Sequence, residues 1–483
     1  MRADPKNGEP LSGGSRQERL PPALFWLVTA VLILAHQGAV LTLAFPGMAT
    51  LIGLWLYFRS PASYVGFMWW LWFLSPEIRR LADWLMGAFT PMSPIQLAPL
   101  AVTMISAFTL LRRYSMLAQR RGVPVLLILL GLGYGFVIGV ASNGLLPATY
   151  DLANWLYPIL IGFQIMAYPR EYPAYRDTIV RTFILGMLVM GAYGLVQFFV
   201  MPEWDAMWML GSQMMSDGDP VPMGVRVFST MNSSGPFAVA MMGAMALVVA
   251  APLRVRWLAA ALGFFSFELS MVRAVWGGWA VALLIQFLQS NGKMRVRIVS
   301  VTVLLASLGV TLAAIGPVGD RLQARVQTMG RLNDDNSYET RKAFYASFAE
   351  TAFTDMSGEG FGATGSSTKL ASDAGALSKY GNFDSGVMNV PFVLGWPGTL
   401  LYLSGMLWLF ARALRTSLGM RDDKFALACM SVGVSVLALM VFINTLVGTA
   451  GLLLYMSLLL VVSAAHWKKL NLRKTLPSTG ALQ

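Results

Sequence analysis

Fourteen apolar segments follow one another along this chain, and most approach the roughly 20 residues that cross a bilayer as a helix. A chain in lipid must satisfy its backbone hydrogen bonds internally, so such segments fold as helices. Only 12% of the residues are charged, about half the fraction of an average soluble domain. The sequence therefore predicts an all-α polytopic membrane protein with about 12–14 transmembrane helices, since several segments are short. The segments lie at about 23–40, 41–58, 62–75, 95–111, 123–141, 155–168, 180–200, 234–252, 257–272, 274–290, 298–315, 390–411, 425–444 and 447–465.

The apolar segments divide the chain into five parts. Residues 1–22 are predicted to be a disordered cytoplasmic tail, because they are polar and rich in Gly, Pro and charge. Residues 23–315 hold the first eleven transmembrane helices, and residues 390–465 hold the last three. Between them, residues 316–389 form one large periplasmic loop, and residues 466–483 form a second cytoplasmic tail.

The large loop contains a helix signal. Asn336 and Glu339 make a capping box, and aromatic residues follow at helical spacing. The glycine-rich stretch at 357–365 ends this helix. An amphipathic helix is therefore predicted within the loop.

Lysine and arginine predict the orientation in the membrane. Of the 36 Lys and Arg residues, 25 fall in the connections and tails that lie on the same side as the two termini. Such residues stay cytoplasmic, so both termini are predicted to face the cytoplasm. The formal charge of +12 then reflects topology and contact with anionic lipid. Nucleic acid is not expected as a partner, because the charge is spread over separate short loops.

Three arginines stand on the predicted periplasmic side: Arg226, Arg273 and Arg341. The planar guanidinium group suits phosphate oxygens, so together they predict a site for a phosphorylated substrate held in the membrane. Each has a simpler interpretation. Arg226 could extend along the membrane interface, Arg273 could pair with Glu268, and Arg341 could be solvated or pair with Glu339.

Asp384 precedes the apolar segment 390–411. It could cap the helix, with Ser385 sharing that role. Alternatively its carboxylate accepts a proton or binds a sugar hydroxyl. Three other acidic residues compete for the role of base, and loop solvation or helix capping explains them more simply: Asp334, Asp335 and Glu339.

Two further arginines, Arg79 and Arg80, are predicted to anchor a helix at the membrane interface near Asp83. No histidine falls in the long periplasmic connections, and no Cys/His cluster has the spacing of a zinc site. The glycine-rich stretch lacks the Lys-Ser/Thr ending of a nucleotide-binding loop. Neither a metal nor another cofactor is therefore expected.

Several stretches together resemble the O-antigen ligase and Wzy-type polysaccharide polymerase superfamily, in that family's order. Four characteristic segments of that family each have a similar stretch in this chain. They are a segment that begins with Arg, a span with the pattern Ser-x-x-Arg, a loop helix with a central Arg, and a motif at the point where the chain re-enters the membrane. A further stretch, WWLWFLSPEIRRLADWLMG, is similar to members from exopolysaccharide clusters. The four matching stretches are GVRVFSTMNSSGP, SMVRAVWGGWAVALL, NSYETRKAFYASFAETAFTDMSGEGFGATG and NFDSGVMNVPFVLGWPGTLLYL.

The resemblance implies a helical bundle of the GT-C type in a bacterial inner membrane, with a large periplasmic loop. It implies glycosyl transfer from an undecaprenyl-diphosphate-linked oligosaccharide to an acceptor hydroxyl at the periplasmic face, without metal or nucleotide. Arg226, Arg273 and Arg341 would bind the diphosphate, and Arg273 would also stabilise the leaving group. Asp384 stands where ligases commonly carry a histidine, which favours a polymerase of exopolysaccharide repeat units over a ligase.

Besides a receptor or an assembly scaffold, two alternatives remain at this stage. The first is an O-antigen ligase-type transfer to a lipid or protein acceptor. The second is a transporter or flippase for lipid-linked sugars, although the chain shows no internal repeat of the kind common in transporters. Expected partners are the lipid-linked glycan, the bilayer and, for a polymerase, a flippase and a chain-length regulator.

Overall fold

The computed structural model describes residues 16–252, 254–313, 319, 356–370 and 385–475. Within these residues the fold is helical and contains no β-strand. Sixteen α-helices are described there. They are α1 (Arg16–Leu34), α2 (Gly38–Arg59), α3 (Pro61–Met86), α4 (Leu97–Met104), α5 (Ala107–Arg112), α6 (Val123–Asn143), α7 (Leu145–Ala167), α8 (Tyr172–Val200), α9 (Glu203–Ser212), α10 (Ser234–Leu247), α11 (Arg256–Leu269), α12 (Arg273–Gln289), α13 (Gly292–Ala313), α14 (Gly386–Leu418), α15 (Lys424–Leu439) and α16 (Gly448–Thr475).

Six helices in the described residues are long and apolar enough to cross a membrane. Each of the fourteen predicted apolar segments also falls mainly on a helix or on two short consecutive helices. The architecture is that of a helical, multi-pass membrane protein, as the sequence predicts. The six helices are Gly38–Arg59, Pro94–Arg112, Val123–Asn143, Pro169–Val200, Gly386–Leu418 and Gly448–Leu472.

Both predicted tails are partly helical. Helix α1 already includes residues 16–22, and Ser63 Oγ donates a hydrogen bond to the Glu18 carboxylate there, at 3.4 Å. Helix α16 continues through residues 466–475, where the Trp467 ring packs against a tyrosine of α8 with ring centroids 5.8 Å apart. Contacts with neighbouring helices therefore extend both helices beyond the apolar segments that predict them.

The two ends of the bundle differ, because one carries most of the arginine and lysine side chains and the other carries the longer connections. At one, here called the basic end, Arg121 Nη1 donates to His466 Nε2 at 3.1 Å, and the Tyr172 hydroxyl donates to Asp423 at 2.7 Å. The other end, here called the loop end, holds the longer connections. The basic end comprises residues 58–61, 112–123, 167–176, 250–252, 254–256, 289–293, 412–425 and 466–475; the loop end comprises residues 36–38, 86–94, 143–145, 200–234, 269–273, 356–370, 385–386 and 440–448.

Helix α16 lies at the centre of the bundle. Its apolar window is 89% buried, whereas the window of α2 is only 33% buried. A small residue allows α7 to approach it closely, because a Cβ added to Gly162 would lie 3.0 Å from the carbonyl oxygen of Tyr455. Close approach of helix backbones through small residues is a common way of packing helices in membranes.

Helices α6 and α14 approach through a similar row of glycines. Gly131, Gly135 and Gly139 are four residues apart, so they share one face of α6. A Cβ on Gly131 would lie only 2.7 Å from the carbonyl oxygen of Gly398 in α14. The two backbones are therefore in contact along this face.

Helix α14 is interrupted at Gly395, whose backbone is left-handed with φ 57° and ψ −179°. Two residues later, Pro397 has no N–H group to donate to the carbonyl oxygen of Val393. Residues 356–362 insert at this break: Gly360 N–H donates to Val393 O at 3.1 Å, and Glu359 N–H donates to Phe392 O at 2.9 Å. The inserted segment thus satisfies carbonyl groups that the broken helix leaves without partners.

The same glycine-rich segment is wedged against α6. Gly360 has φ +76°, and a Cβ there would lie 2.2 Å from the Gly139 nitrogen. Next to it, Phe361 is fully buried and packs on Trp155, with ring centroids 5.6 Å apart. Close backbone packing therefore explains the glycines of this segment.

Gly360→Ala should destabilise the protein by about 2–4 kcal/mol, because the methyl group collides with α6 and the left-handed backbone disfavours a side chain. Gly133→Ala is the matched control on α6, since no atom lies within 4 Å of its added Cβ; it should be neutral or up to about 1 kcal/mol stabilising. The midpoint of thermal unfolding in detergent, followed by tryptophan fluorescence, measures both. Equal midpoints for the two variants would show that residues 356–362 are not packed tightly against α6.

Candidate functional site

Residues 224–233 carry Arg226 and form no helix, yet hydrogen bonds hold their backbone in place. Gln197 of α8 accepts hydrogen bonds from the N–H groups of Phe228 and Ser229, at 3.0 and 2.8 Å. The Thr230 hydroxyl donates to the carbonyl oxygen of Phe73 at 2.6 Å. Side chains therefore replace the hydrogen bonds that a helix would provide.

Arg80 lies beneath this segment. It is 1% exposed and donates to the carbonyl oxygens of Met231, at 2.7 Å, and of Ser229. It also forms ion pairs with Glu77 and with Asp205 of α9, the latter at 2.8 Å. The prediction that Arg80 anchors the helix at the membrane interface is therefore wrong, because its partners enclose it.

Two buried carboxylates share this one guanidinium group, and each has further donors. Trp204 Nε1 donates to Glu77 at 2.8 Å. The Tyr193 hydroxyl and Gln197 Nε2 both donate to Asp205, at 3.0 and 2.7 Å. Burying charges is favourable only when the remaining polar atoms are satisfied in this way, so the network fixes α3, α8 and α9 relative to one another.

Arg79 is buried as well, which corrects the second interface prediction. Its Nε lies 3.5 Å from Asp83, and its Nη2 donates to the carbonyl oxygen of Thr90 at 2.6 Å. The guanidinium also stacks over the Phe89 ring, 5.1 Å from the centroid. Arg79 therefore holds the connection 86–94 on the end of α3.

Arg226 lies against the turn between α11 and α12. Its Nε donates to the carbonyl oxygen of Ser270 at 3.2 Å, and its Nη1 donates to that of Ser216 at 3.1 Å. The adjacent Val227 N–H donates to Leu269 O at 3.0 Å. With its side chain only 23% exposed, Arg226 is bound to the protein and does not extend along the membrane interface.

Asp217 connects Arg226 to the start of α10. Its carboxylate lies 4.0 Å from Arg226 Nη1 and accepts hydrogen bonds from the hydroxyl and the N–H group of Ser234, at 2.6 and 3.2 Å. Asp217 is buried. It therefore gives the α10 terminus an anionic cap while also orienting the guanidinium group.

Arg273 is the first residue of α12 and is half-buried. It follows a tight turn in which Met271 has φ +54°. Glu268 and Arg273 are both described, and no ion pair joins them, so the interpretation as a local pair is wrong. Arg226 therefore binds, at Ser270, the turn that leads into Arg273.

The structure describes neither Arg341 nor Asp384; both predictions lie outside the described residues. The neighbour of Asp384 is described. Ser385 occupies the N-cap position of α14, but its hydroxyl does not cap the helix and donates to Met440 O at 3.3 Å. Gly386 N–H donates to the same oxygen at 2.9 Å, so α14 begins on the end of α15.

The end of α15 is also a neighbour of α12. A Cβ added to Gly278 would lie 3.0 Å from Leu439 Cδ1. Arg273 is five residues from Gly278 toward the loop end, and Met440, which Ser385 binds, directly follows Leu439. The turn carrying Arg273 and the start of α14 therefore lie at the same end of the bundle, on neighbouring helices.

A cavity of about 1120 Å³ lies between α1, α3 and α8. Its charged lining residues lie at or near the basic end, and its apolar lining extends along α3 as far as Leu74. Neither Arg226 nor Arg273 lines it. In the described ranges no group of three or more His, Cys, Asp or Glu side chains could hold a metal ion. The loop-end arginines are therefore the candidate site.

No protein-family model matches the chain, and no curated protein sequence matches it. The functional evidence accordingly comes from the residues themselves. Guanidinium groups beside the first turn of α12 favour an anionic ligand, because a helix N-terminus carries partial positive charge. The N-cap residue there, Val272, has no side-chain oxygen that could accept hydrogen bonds from that turn.

The sequence did not point to the residues that support the site. Gln197, Asp205 and Asp217 all stabilise the segment that carries Arg226 or its neighbours, and none was predicted to do so. Gln197 does carry a signal, since an amide near the end of the apolar segment 180–200 needs a hydrogen-bonding partner. Nothing local distinguishes Asp205 or Asp217 from a solvated loop carboxylate.

Arg80→Gln should destabilise the protein by about 3–5 kcal/mol, because it leaves two buried carboxylates without their cation. Glu77→Gln is the matched control in the same network. It should cost about 1–2 kcal/mol, less than Arg80→Gln, because Asp205 still pairs with the guanidinium group. The single amide oxygen can accept from Trp204 or from Arg80, and the amide NH2 group then faces the other donor. Thermal unfolding midpoints in detergent compare the variants, and an Arg80→Gln midpoint equal to that of Glu77→Gln would show that the network does not depend on Arg80.

Proposed function

We propose that this protein transfers a glycan from an undecaprenyl-diphosphate-linked oligosaccharide to an acceptor hydroxyl at the periplasmic face of the bacterial inner membrane. The proposed reaction is polymerisation of exopolysaccharide repeat units. One observation carries the proposal: Arg226 is docked on the turn from which Arg273 begins α12. Two arginines that are 47 residues apart in the chain thereby meet at one turn of the loop end.

The arginines would act on the diphosphate. As the bond between the anomeric carbon and the phosphate oxygen breaks, negative charge develops on the departing lipid diphosphate. Guanidinium groups held in advance at that position stabilise this charge. Arg273 would act directly on the leaving group, while Arg226 and Arg341 would bind its phosphates.

Asp384 would assist the acceptor. As the new carbon–oxygen bond forms, the acceptor hydroxyl loses its proton, which a carboxylate can accept. The placement of Ser385 on the end of α15, beside α12, supports this role. The contacts of residues 356–362 also support it, since they attach the middle of the proposed large periplasmic loop to α6 and α14.

The direction in the membrane follows from charge. The basic end would face the cytoplasm, and the loop end would face the periplasm. Repeat units would then reach the site after a flippase has moved them across, and a chain-length regulator would act on the product. We also propose that the helices are arranged as in glycosyltransferases of the GT-C type.

Reconstitution separates the candidate functions. Protein in liposomes is incubated with an undecaprenyl-diphosphate-linked repeat unit, and the glycans are resolved on a gel. We expect a ladder of products, which indicates polymerisation. A single added unit on a lipid or protein acceptor would instead indicate a ligase, and movement of intact substrate across the bilayer without transfer would indicate a transporter.

Arg273→Ala should lower the rate of glycan transfer by about 100- to 1000-fold, as expected when a group that stabilises developing charge is removed. Arg273→Lys should retain part of the rate, because it keeps the charge without the bidentate geometry. Lys293→Ala is the control, since Lys293 is exposed at the basic end. Initial rates are compared among variants that elute as monodisperse protein with wild-type unfolding midpoints. Wild-type transfer by a folded Arg273→Ala variant would remove Arg273 from the site.

A further inference from the structure

The cavity at the basic end is larger than most small-molecule sites. Its volume of about 1120 Å³ exceeds the roughly 300–1,000 Å³ that is usual for a ligand pocket. It lies between α1, α3 and α8 and is closed at one side by the α14–α15 turn and the end of α16. Glycan transfer at the loop end does not use it.

Charged side chains surround the mouth of this cavity. Five are basic and four are acidic. The basic side chains are Arg19, Arg176, Arg181, Lys424 and Lys468, and the acidic ones are Glu18, Asp177, Asp422 and Asp423.

Some of the acidic groups are already engaged. Asp177 pairs with Arg176 at 2.9 Å. Asp423 accepts from the Tyr172 hydroxyl at 2.7 Å and from backbone N–H groups of the first turn of α15. By contrast, no ion pair among the described residues includes the side chains of Arg181, Lys424 or Lys468. The mouth therefore offers cations to an incoming anion.

The interior of the cavity is apolar and deep. Five lining residues of α3 fall on one helical face. From the first to the last of them is eleven residues, or about 16 Å along the helix axis. This is about half of the roughly 30 Å hydrocarbon core, and therefore about the depth of one leaflet. The five residues are Ser63, Gly66, Phe67, Trp70 and Leu74.

We propose that this cavity binds one anionic phospholipid from the leaflet at the basic end. Its phosphate group lies at Arg181, Lys424 and Lys468, and its acyl chains lie along the wall formed by Phe67, Trp70 and Leu74. Basic pockets between membrane helices recognise anionic head groups through the same combination of charge and apolar depth. A free phosphate ion would use the mouth alone and would leave the apolar wall without a partner.

The test uses the purified full chain and native mass spectrometry. Phosphatidylglycerol and phosphatidylcholine with identical acyl chains are titrated separately, and inorganic phosphate is added as a competitor. We expect one phosphatidylglycerol molecule to remain bound, phosphatidylcholine to bind at least tenfold more weakly, and millimolar phosphate to leave the lipid in place.

Two variants test the two parts of the cavity. Arg181→Gln combined with Lys424→Gln should weaken phosphatidylglycerol binding by about 30-fold, as expected from about 1 kcal/mol for each basic side chain. Ala23→Trp places a large ring in the cavity without changing its charge, because Ala23 lines it; binding should be lost. Arg415→Gln is the control, since Arg415 is exposed in the last turn of α14 and does not line the cavity.

Each contrary result overturns a definite part of the proposal. Equal retention of the two lipids would refute recognition of the anionic head group. Displacement by inorganic phosphate would show a small-anion site without a lipid. Equal weakening by Arg415→Gln and the double variant would mean that the charge of the whole basic end, and not this cavity, attracts the lipid. Wild-type binding by Ala23→Trp would place the lipid elsewhere on the protein.

Discussion

The loop end of this protein depends on one buried cation. A guanidinium group enclosed by protein is stable only when carboxylates and carbonyl oxygens surround it, and Arg80 obtains these from three parts of the chain. Glu77 comes from its own helix, Asp205 comes from α9, and the carbonyl oxygens come from residues 224–234. Satisfying this charge therefore brings the segment with Arg226 onto the helices and holds it where Arg226 meets the α11–α12 turn.

Unsatisfied backbone groups have a similar effect at the break in α14. Gly395 and Pro397 interrupt the helical hydrogen bonds, and the freed carbonyl groups are bound by residues 359 and 360. In both places a buried polar group needs hydrogen-bonding partners, and a segment distant in the sequence provides them. The loop-end connections are thereby ordered by the helices beneath them and provide a rigid base for a site.

The two ends of the bundle have separate roles in the proposed account. The loop end gathers arginines at the start of α12, where a lipid-linked diphosphate would bind. The basic end surrounds a deep apolar cavity with cations, where a phospholipid of the other leaflet would bind. Both proposals depend on the affinity of basic side chains for phosphate. They concern ligands on opposite sides of the membrane, so an experiment can refute one without the other. The resemblance to polysaccharide polymerases and ligases bears only on the first.

The sequence by itself determined that the chain is helical and multi-pass, and it placed each apolar segment on helical structure, although several helices extend about ten residues beyond the predicted bounds. It could do so because backbone hydrogen bonding and apolar length are local properties of each segment. Only the tertiary structure decided that Arg79 and Arg80 are buried, that Glu268 does not pair with Arg273, and that Arg226 binds the carbonyl oxygen of Ser270. These outcomes depend on which groups packing brings together across tens or hundreds of residues, and no short stretch of sequence contains that information.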